Sequence, residues 1–189
     1  MIRRLLTGLV LGGFSVLAHA AFDIGQLMTE LASNPGGRAT FVEKRHLALL
    51  DKPLVATGEM TYTAPDRLEK RTLTPKAETM VLDKDTLSLE RDRRKMQIQL
   101  SQRPEVAAFV ESIRSTLQGN RASLERNYTL LLAGHRDAWV LTLVPTEQRI
   151  ASLLQRITLS GVREQVLVIE YLQADGDRTE MTIEPVKNP

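Results

Sequence analysis

The feature that most constrains this fold is a repeat of two. From Arg38 onward, apolar side chains recur at alternate positions in short runs separated by turn-forming residues. Met96-Gln97-Ile98-Gln99-Leu100 shows the alternation most cleanly. The pattern predicts strands near 38–49, 54–63, 67–74, 78–83, 86–91 and 94–100, and again near 128–134, 138–144, 153–160, 164–173 and 178–184. Asp51-Lys52-Pro53, Ala64-Pro65-Asp66, Pro75-Lys76-Ala77, Asp83-Lys84-Asp85 and Asp175-Gly176-Asp177 supply connections too short for anything but antiparallel neighbours. The expected class is therefore α+β, mainly β: a curved antiparallel sheet of roughly eleven strands.

Two segments keep the helical period instead. Residues 23–32 place Ile24, Leu27, Met28 and Leu31 on one side, with Asp23 able to cap the start and Asn34-Pro35-Gly36-Gly37 ending it. Residues 104–118 open on Pro104 and Glu105, which suit a helix N-terminus. Val106, Phe109, Val110, Ile113 and Leu117 form one stripe there, and Gly119 can cap the end. A further short helix is expected over 121–127. These helices are expected to cover one face of the sheet.

The first twenty residues follow a different logic. Arg3 and Arg4 precede the apolar run Leu5 to Leu17, and Ala18-His19-Ala20 offers the small-x-small pattern of a cleavage site. The run holds Gly12 and Gly13 and falls short of the ~20 residues that span a bilayer. The reading is a signal peptide over residues 1–20 and a single exported domain over 21–189, in the periplasm or beyond the cell. There is no cysteine, which excludes a disulfide framework, thiolate metal sites and a lipid-modified N-terminal Cys. Two of the 25 Lys+Arg leave with the signal, so 23 face 23 Asp+Glu in the remaining domain. That neutrality removes the general drive for nucleic-acid binding.

A search for catalytic chemistry finds little. His46 and His135 have no second ligand at a metal-binding spacing, and no Gly-x-Ser-x-Gly elbow or glycine-rich phosphate loop is present. Asp83/Asp85 and Asp175/Asp177 are paired carboxylates, but both lie in turns where Asp is favoured for backbone reasons. The chain reads as a non-enzyme with no catalytic residue, no metal and no cofactor. Its surplus is apolar. Tyr128 to Ala133, Trp139 to Val144 and Val166 to Ile169 are apolar on both alternating faces, where a sheet with one solvent face should alternate. Helix cover and tight packing account for this; so does a ligand cavity, whose lining Met28, Met60, Met80, Met96 and Met181 would make deformable.

The order of elements adds a resemblance. A signal peptide and short helix lead to Phe41-Val42-Glu43-Lys44-Arg45, then to Gly58-Glu59-Met60-Thr61-Tyr62-Thr63-Ala64-Pro65-Asp66-Arg67-Leu68 and Met80-Val81-Leu82-Asp83. Leu141-Thr142-Leu143-Val144-Pro145 and Asp175-Gly176-Asp177-Arg178-Thr179-Glu180-Met181 follow. Across the whole domain this resembles the periplasmic outer-membrane lipoprotein carrier family, LolA-like, as a divergent paralogue. The resemblance implies an incomplete β-barrel under a helical lid, with acyl chains held between them. It implies as cargo an acylated lipid or lipoprotein, and as partners an inner-membrane exporter and an outer-membrane acceptor, with the carrier a monomer. The implied cavity and lid residues are Tyr62, Met80, Leu82, Met96, Ile98, Val106, Phe109, Val110, Ile113, Leu117, Trp139, Leu141 and Leu143. Two departures stand out. Ala64 occupies the position where the family usually places an Arg before the Pro, and aromatics are only 4% of the chain in a family whose cavity is rich in them. A module that uses the same fold to bind a partner protein is the alternative.

Overall fold

The computed structural model describes residues 22–186, so the predicted signal peptide lies outside the described residues. The first element is helix α1 (Ile24–Ala32). Asp23 accepts from the Gln26 backbone N–H at 2.8 Å, while the Gln26 side chain accepts from the Asp23 N–H at 3.0 Å. This reciprocal cap satisfies two otherwise orphaned donors and fixes the start of a short helix. Leu27, Met28 and Leu31 are its buried face.

Six strands follow, β1 (Gly36–His46), β2 (Leu54–Thr63), β3 (Arg67–Thr74), β4 (Glu78–Asp83), β5 (Thr86–Arg91) and β6 (Arg94–Gln99). Each pairs antiparallel with the next. A single 3-10 turn, Leu100–Gln102, leads into helices α2 (Pro104–Leu117) and α3 (Arg121–Glu125). Strands β7 (Tyr128–His135) and β8 (Ala138–Pro145) precede one turn of helix, α4 (Gln148–Ala151). Strands β9 (Leu154–Val162), β10 (Gln165–Gln173) and β11 (Arg178–Pro185) complete the chain. The strands form one open sheet of eleven, ordered β6-β5-β4-β3-β2-β1-β11-β10-β9-β8-β7. Edges β6 and β7 do not pair, and the helices between them carry the chain from one edge of the sheet to the other.

The predicted strands and both long helices are found, with ends displaced by up to three residues; the 3-10 turn and α4 are additions. α3 is shorter than the expected 121–127, ending at Glu125. At Gly119 φ is +63°, and a Cβ there would meet the Met28 carbonyl oxygen at 1.9 Å. Only glycine fits both the left-handed cap of α2 and this close approach to α1.

One face of the sheet is covered by the helices. Its main core joins Leu27 and Leu31 of α1 to Trp139, Leu141, Leu143, Ile157, Leu159 and their neighbours. A smaller cluster of Leu82, Leu87 and Leu100, flanked by Val106, Ala107 and Val110 of α2, lies under the β4–β6 half. The two-sided apolar strands have a plainer explanation than a cavity. On β7 and β8, Tyr128, Leu130, Trp139, Leu141 and Leu143 are buried, while Leu131, Val140 and Val144 are exposed on the outer face. The apolar excess of those strands therefore faces solvent on the uncovered side of the sheet.

Candidate functional site

Residues opposite one another in an antiparallel pair share a face, so the register assigns each candidate. Tyr62 is opposite Leu68, which is opposite Leu82, then Leu87, then Ile98. A parallel row runs Met60, Lys70, Met80, Leu89, Met96. At the other end Trp139, Leu141 and Leu143 face Gly161, Leu159 and Ile157. All eight strand candidates thus share the helix-covered face, but in two environments. Trp139, Leu141 and Leu143 are 0% exposed in the main core. Leu82 is buried in the smaller cluster, Tyr62, Met80 and Ile98 are half-buried, and Met96 is 55% exposed. The β3–β6 half of the face is incompletely covered.

Helix α2 turns its apolar stripe toward the sheet but buries it only in part. Of the stripe Val106, Phe109, Val110, Ile113 and Leu117, Ile113 is buried, Val106, Val110 and Leu117 are half-buried, and Phe109 is exposed. Ala108, Ser112, Ser115 and Thr116 are the other buried positions. The hydroxyls are satisfied locally: Ser112 donates to the Phe109 carbonyl and Thr116 to the Ser112 carbonyl, both at 2.6 Å. Small hydroxyl side chains bury little apolar area, so these positions contribute less hydrophobic stabilisation than leucines would. Phe109 is 40% exposed and stacks on Tyr171 of β10, ring centroids 4.8 Å apart. Val106 and Val110 pack on the β4–β6 cluster and Leu117 on the main core.

Polar contacts tie α2 to the loops around it. Gln118 Nε2 donates to the Pro65 carbonyl at 2.7 Å, and Tyr62 Oη donates to the same oxygen at 3.1 Å. Arg114 donates to the Lys84 carbonyl in the β4–β5 turn and pairs with Glu111. Tyr128 Oη, buried in the core, donates to the Ala108 carbonyl at 3.1 Å. Burial pushes its phenol up to about 12, only partly opposed by Ser112.

Residues absent from the expected set occupy the centre of the same face. Glu43 of β1 is 2% exposed and pairs with Lys70 of β3 and, at 2.6 Å, with Arg45. Burial alone would raise its carboxyl pKa; the hydrogen bond and charge of Lys70, then Arg45, outweigh it and hold the group below the usual value. Lys70 Nζ also lies 4.8 Å from the centre of the Phe41 ring. Burial raises the Tyr171 phenol, and the Glu43 charge adds to that. Glu43 was findable in sequence, because it is in phase with Phe41 along one strand. Its cationic partner, two strands away, was not.

The paired carboxylates singled out in the sequence have structural partners. Asp85 accepts from the Ser101 backbone N–H and hydroxyl, Asp83 pairs with Arg67, and Asp175 and Asp177 brace their turn and the Ala48 N–H. No group of His, Asp and Glu among the described residues could hold a metal ion. No helix among them is long and apolar enough to cross a membrane. Two surface pockets, of about 310 and 210 Å³, open on the outer face. The larger is lined by Thr40, Val42, Thr57, Glu59, Leu73 and Thr182 among others.

Comparison with known proteins places this geometry. A family described as outer membrane lipoprotein carrier protein LolA-like matches residues 16–184. No curated protein matches the chain. Among solved structures it is similar to a LolA superfamily protein from Nitrosomonas europaea, at 12% identity and TM-score 0.44, covering 88% of this chain and 93% of that one. It is also similar to a DUF1329 family protein from Desulfovibrio piger, at 11% identity and TM-score 0.45, with 85% and 88% covered. The MucA/MucB complex of Pseudomonas aeruginosa is similar at 16% identity and TM-score 0.46, with 88% of this chain and 58% of that chain covered.

Proposed function

The chain belongs to the outer membrane lipoprotein carrier protein LolA-like family, and on that premise we propose that it carries acyl chains through the periplasm. In this reading residues 1–20 are removed on export, and residues 21–189 shield the chains of a lipoprotein or another lipid on the way to the outer membrane. A donor at the inner membrane and an acceptor at the outer membrane bracket the journey, and no step of it is catalytic.

The observation that carries the proposal is the incompletely covered half of the inner face. Met80, Leu89 and Ile98 of the sheet and Val106 and Val110 of α2 are half-buried, while Met96 is exposed, around one small packed cluster. Apolar side chains that α2 covers only in part favour entry of a guest by lifting that helix. Each methylene transferred from water contributes about 0.8 kcal/mol, enough for a long acyl chain to displace the contacts of α2. Leu82, Met80, Met96, Ile98 and Tyr62 would line the space on the sheet side. Val106, Phe109, Val110, Ile113 and Leu117 would line it on the helix side. Trp139, Leu141 and Leu143, sealed in the main core with Leu27 and Leu31 of α1, would become reachable only if more than α2 moved.

Native mass spectrometry of protein purified from the periplasm, with uptake of a fluorescent fatty acid, tests this. A co-purifying acylated species and saturable uptake are expected; neither appearing would remove the carrier reading. A scaffold that binds a partner protein is the second reading, favoured by the exposed Val42, Leu73, Leu131 and Val140 of the outer face. It predicts a stable crosslinked partner and no extraction of lipid from membranes.

A further inference from the structure

The inner face carries charge that a hydrocarbon guest does not require. The diagonal from Glu43 on β1 to Lys70 on β3 crosses β2 at Gly58, since Glu43 is opposite Ala56 and Lys70 opposite Met60. A Cβ at Gly58 would meet the Arg71 carbonyl oxygen at 2.0 Å and the Phe41 ring at 2.8 Å, so only glycine fits beside the pair. The pair is thus built into the floor, with Phe41 beneath the ammonium.

Packing does not explain it. Replacing a buried ion pair by apolar residues of similar volume is often neutral or stabilising. The two partners are also satisfied unequally. Glu43 accepts from Lys70 on one oxygen and from Arg45 on the other. An ammonium carries three donors, and among the described residues Lys70 donates a single hydrogen bond, to Glu43. Its side chain keeps 13% exposure. The charges that share the inner face toward the open edge are Arg91, Arg94 and Glu78, and Glu78 is within 3.8 Å of Arg91. The balance there is cationic. From Lys70 the apolar row Met80, Leu89, Met96 leads to the free edge, three strand spacings or about 14 Å away.

We propose that Lys70 anchors the anionic head of an amphiphile, a carboxylate or phosphate oxyanion, whose chain lies along Met80, Leu89 and Met96. This rests on the carrier reading and names its ligand class. Glu43 holds the ammonium in place while the site is empty and competes with the incoming anion for it. The two residues therefore act with opposite sign on binding, which a purely structural ion pair would not do.

The test compares palmitate with hexadecanol, which share a chain and differ in head charge, in wild type, Glu43→Gln and the double variant Glu43→Gln/Lys70→Met. A lysophosphatidic acid serves as a second anionic head and separates phosphate from carboxylate recognition. Preference for the anion over the alcohol should rise about ten-fold in Glu43→Gln, as expected when a charge-assisted hydrogen bond loses its competitor. It should disappear in the double variant, which leaves no buried charge of the pair unmatched and so protects the test against misfolding. Equal preference in all three proteins overturns the anchor while leaving the carrier reading intact. Binding of none of the three ligands removes both.

Discussion

Replacing Gln118 by alanine removes one hydrogen bond between the end of α2 and the Pro65 carbonyl, 2.7 Å long and at the surface. A neutral bond of this kind contributes a net of about 1 kcal/mol. If a guest enters by lifting α2, the bond exists in the empty protein and not in the loaded one. Its loss then favours the raised helix about five-fold before any guest arrives. The expected result is tighter binding of a fluorescent fatty acid, with Kd about five-fold lower. The whole change should appear in the association rate, and the dissociation rate should stay at the wild-type value. Stopped-flow fluorescence separates the two rates. Weaker binding, or a faster dissociation rate, would mean that α2 stays seated over its guest and that the reasoning is wrong. Tyr62 Oη, which shares the Pro65 oxygen, remains in the variant, so the loop is not released altogether.

Two further outcomes follow from the division of the inner face. Leu141→Ala should cost about 3 kcal/mol in urea unfolding because Leu141 is sealed in the main core. Met80→Ala, at a half-buried position, should cost about 1 kcal/mol or less while reducing lipid uptake. Glu43 gives a pH signature. Its folded pKa lies below the usual value near 4.5, so the pair's stabilisation is fully present above that pH and is lost as pH falls through the folded value. Wild type should exceed Glu43→Gln by about 3 kcal/mol at neutral pH, and the gap should narrow only below about pH 4.5. A gap that narrows between pH 8 and 6 would point to a different group.

The sheet was legible because its turns are. Asp83-Lys84-Asp85 fixes Leu82 opposite Leu87, and Asp175-Gly176-Asp177 fixes the β10–β11 hairpin, so strand order within each run follows from local chemistry. Phase was legible too: Tyr62, Met80, Leu82, Met96, Ile98, Trp139, Leu141 and Leu143 share one face. Depth was not. Alternation reports which side of a strand a residue takes, and not how much helix lies above it, so sealed Leu143 and exposed Met96 looked alike. The depth of each α2 position was not legible for a related reason. Its apolar stripe is plain, but no local pattern tells that the smaller Ala108, Ser112, Ser115 and Thr116 are buried more deeply than most of it. The Glu43–Lys70 pair spans two strands and 27 positions in sequence, beyond the reach of any local pattern.

The seam at β11 has a consequence for how the molecule comes into being. β1 to β6 zip together as successive neighbours, and β7 to β10 do the same, but the two blocks meet through the last strand alone, Phe41 lying opposite Ile183. A chain that becomes available from its N-terminus onward would hold two half-sheets without a shared floor until β11 was free to pair. A continuous inner floor thus arrives late and all at once, with the strand that closes the seam.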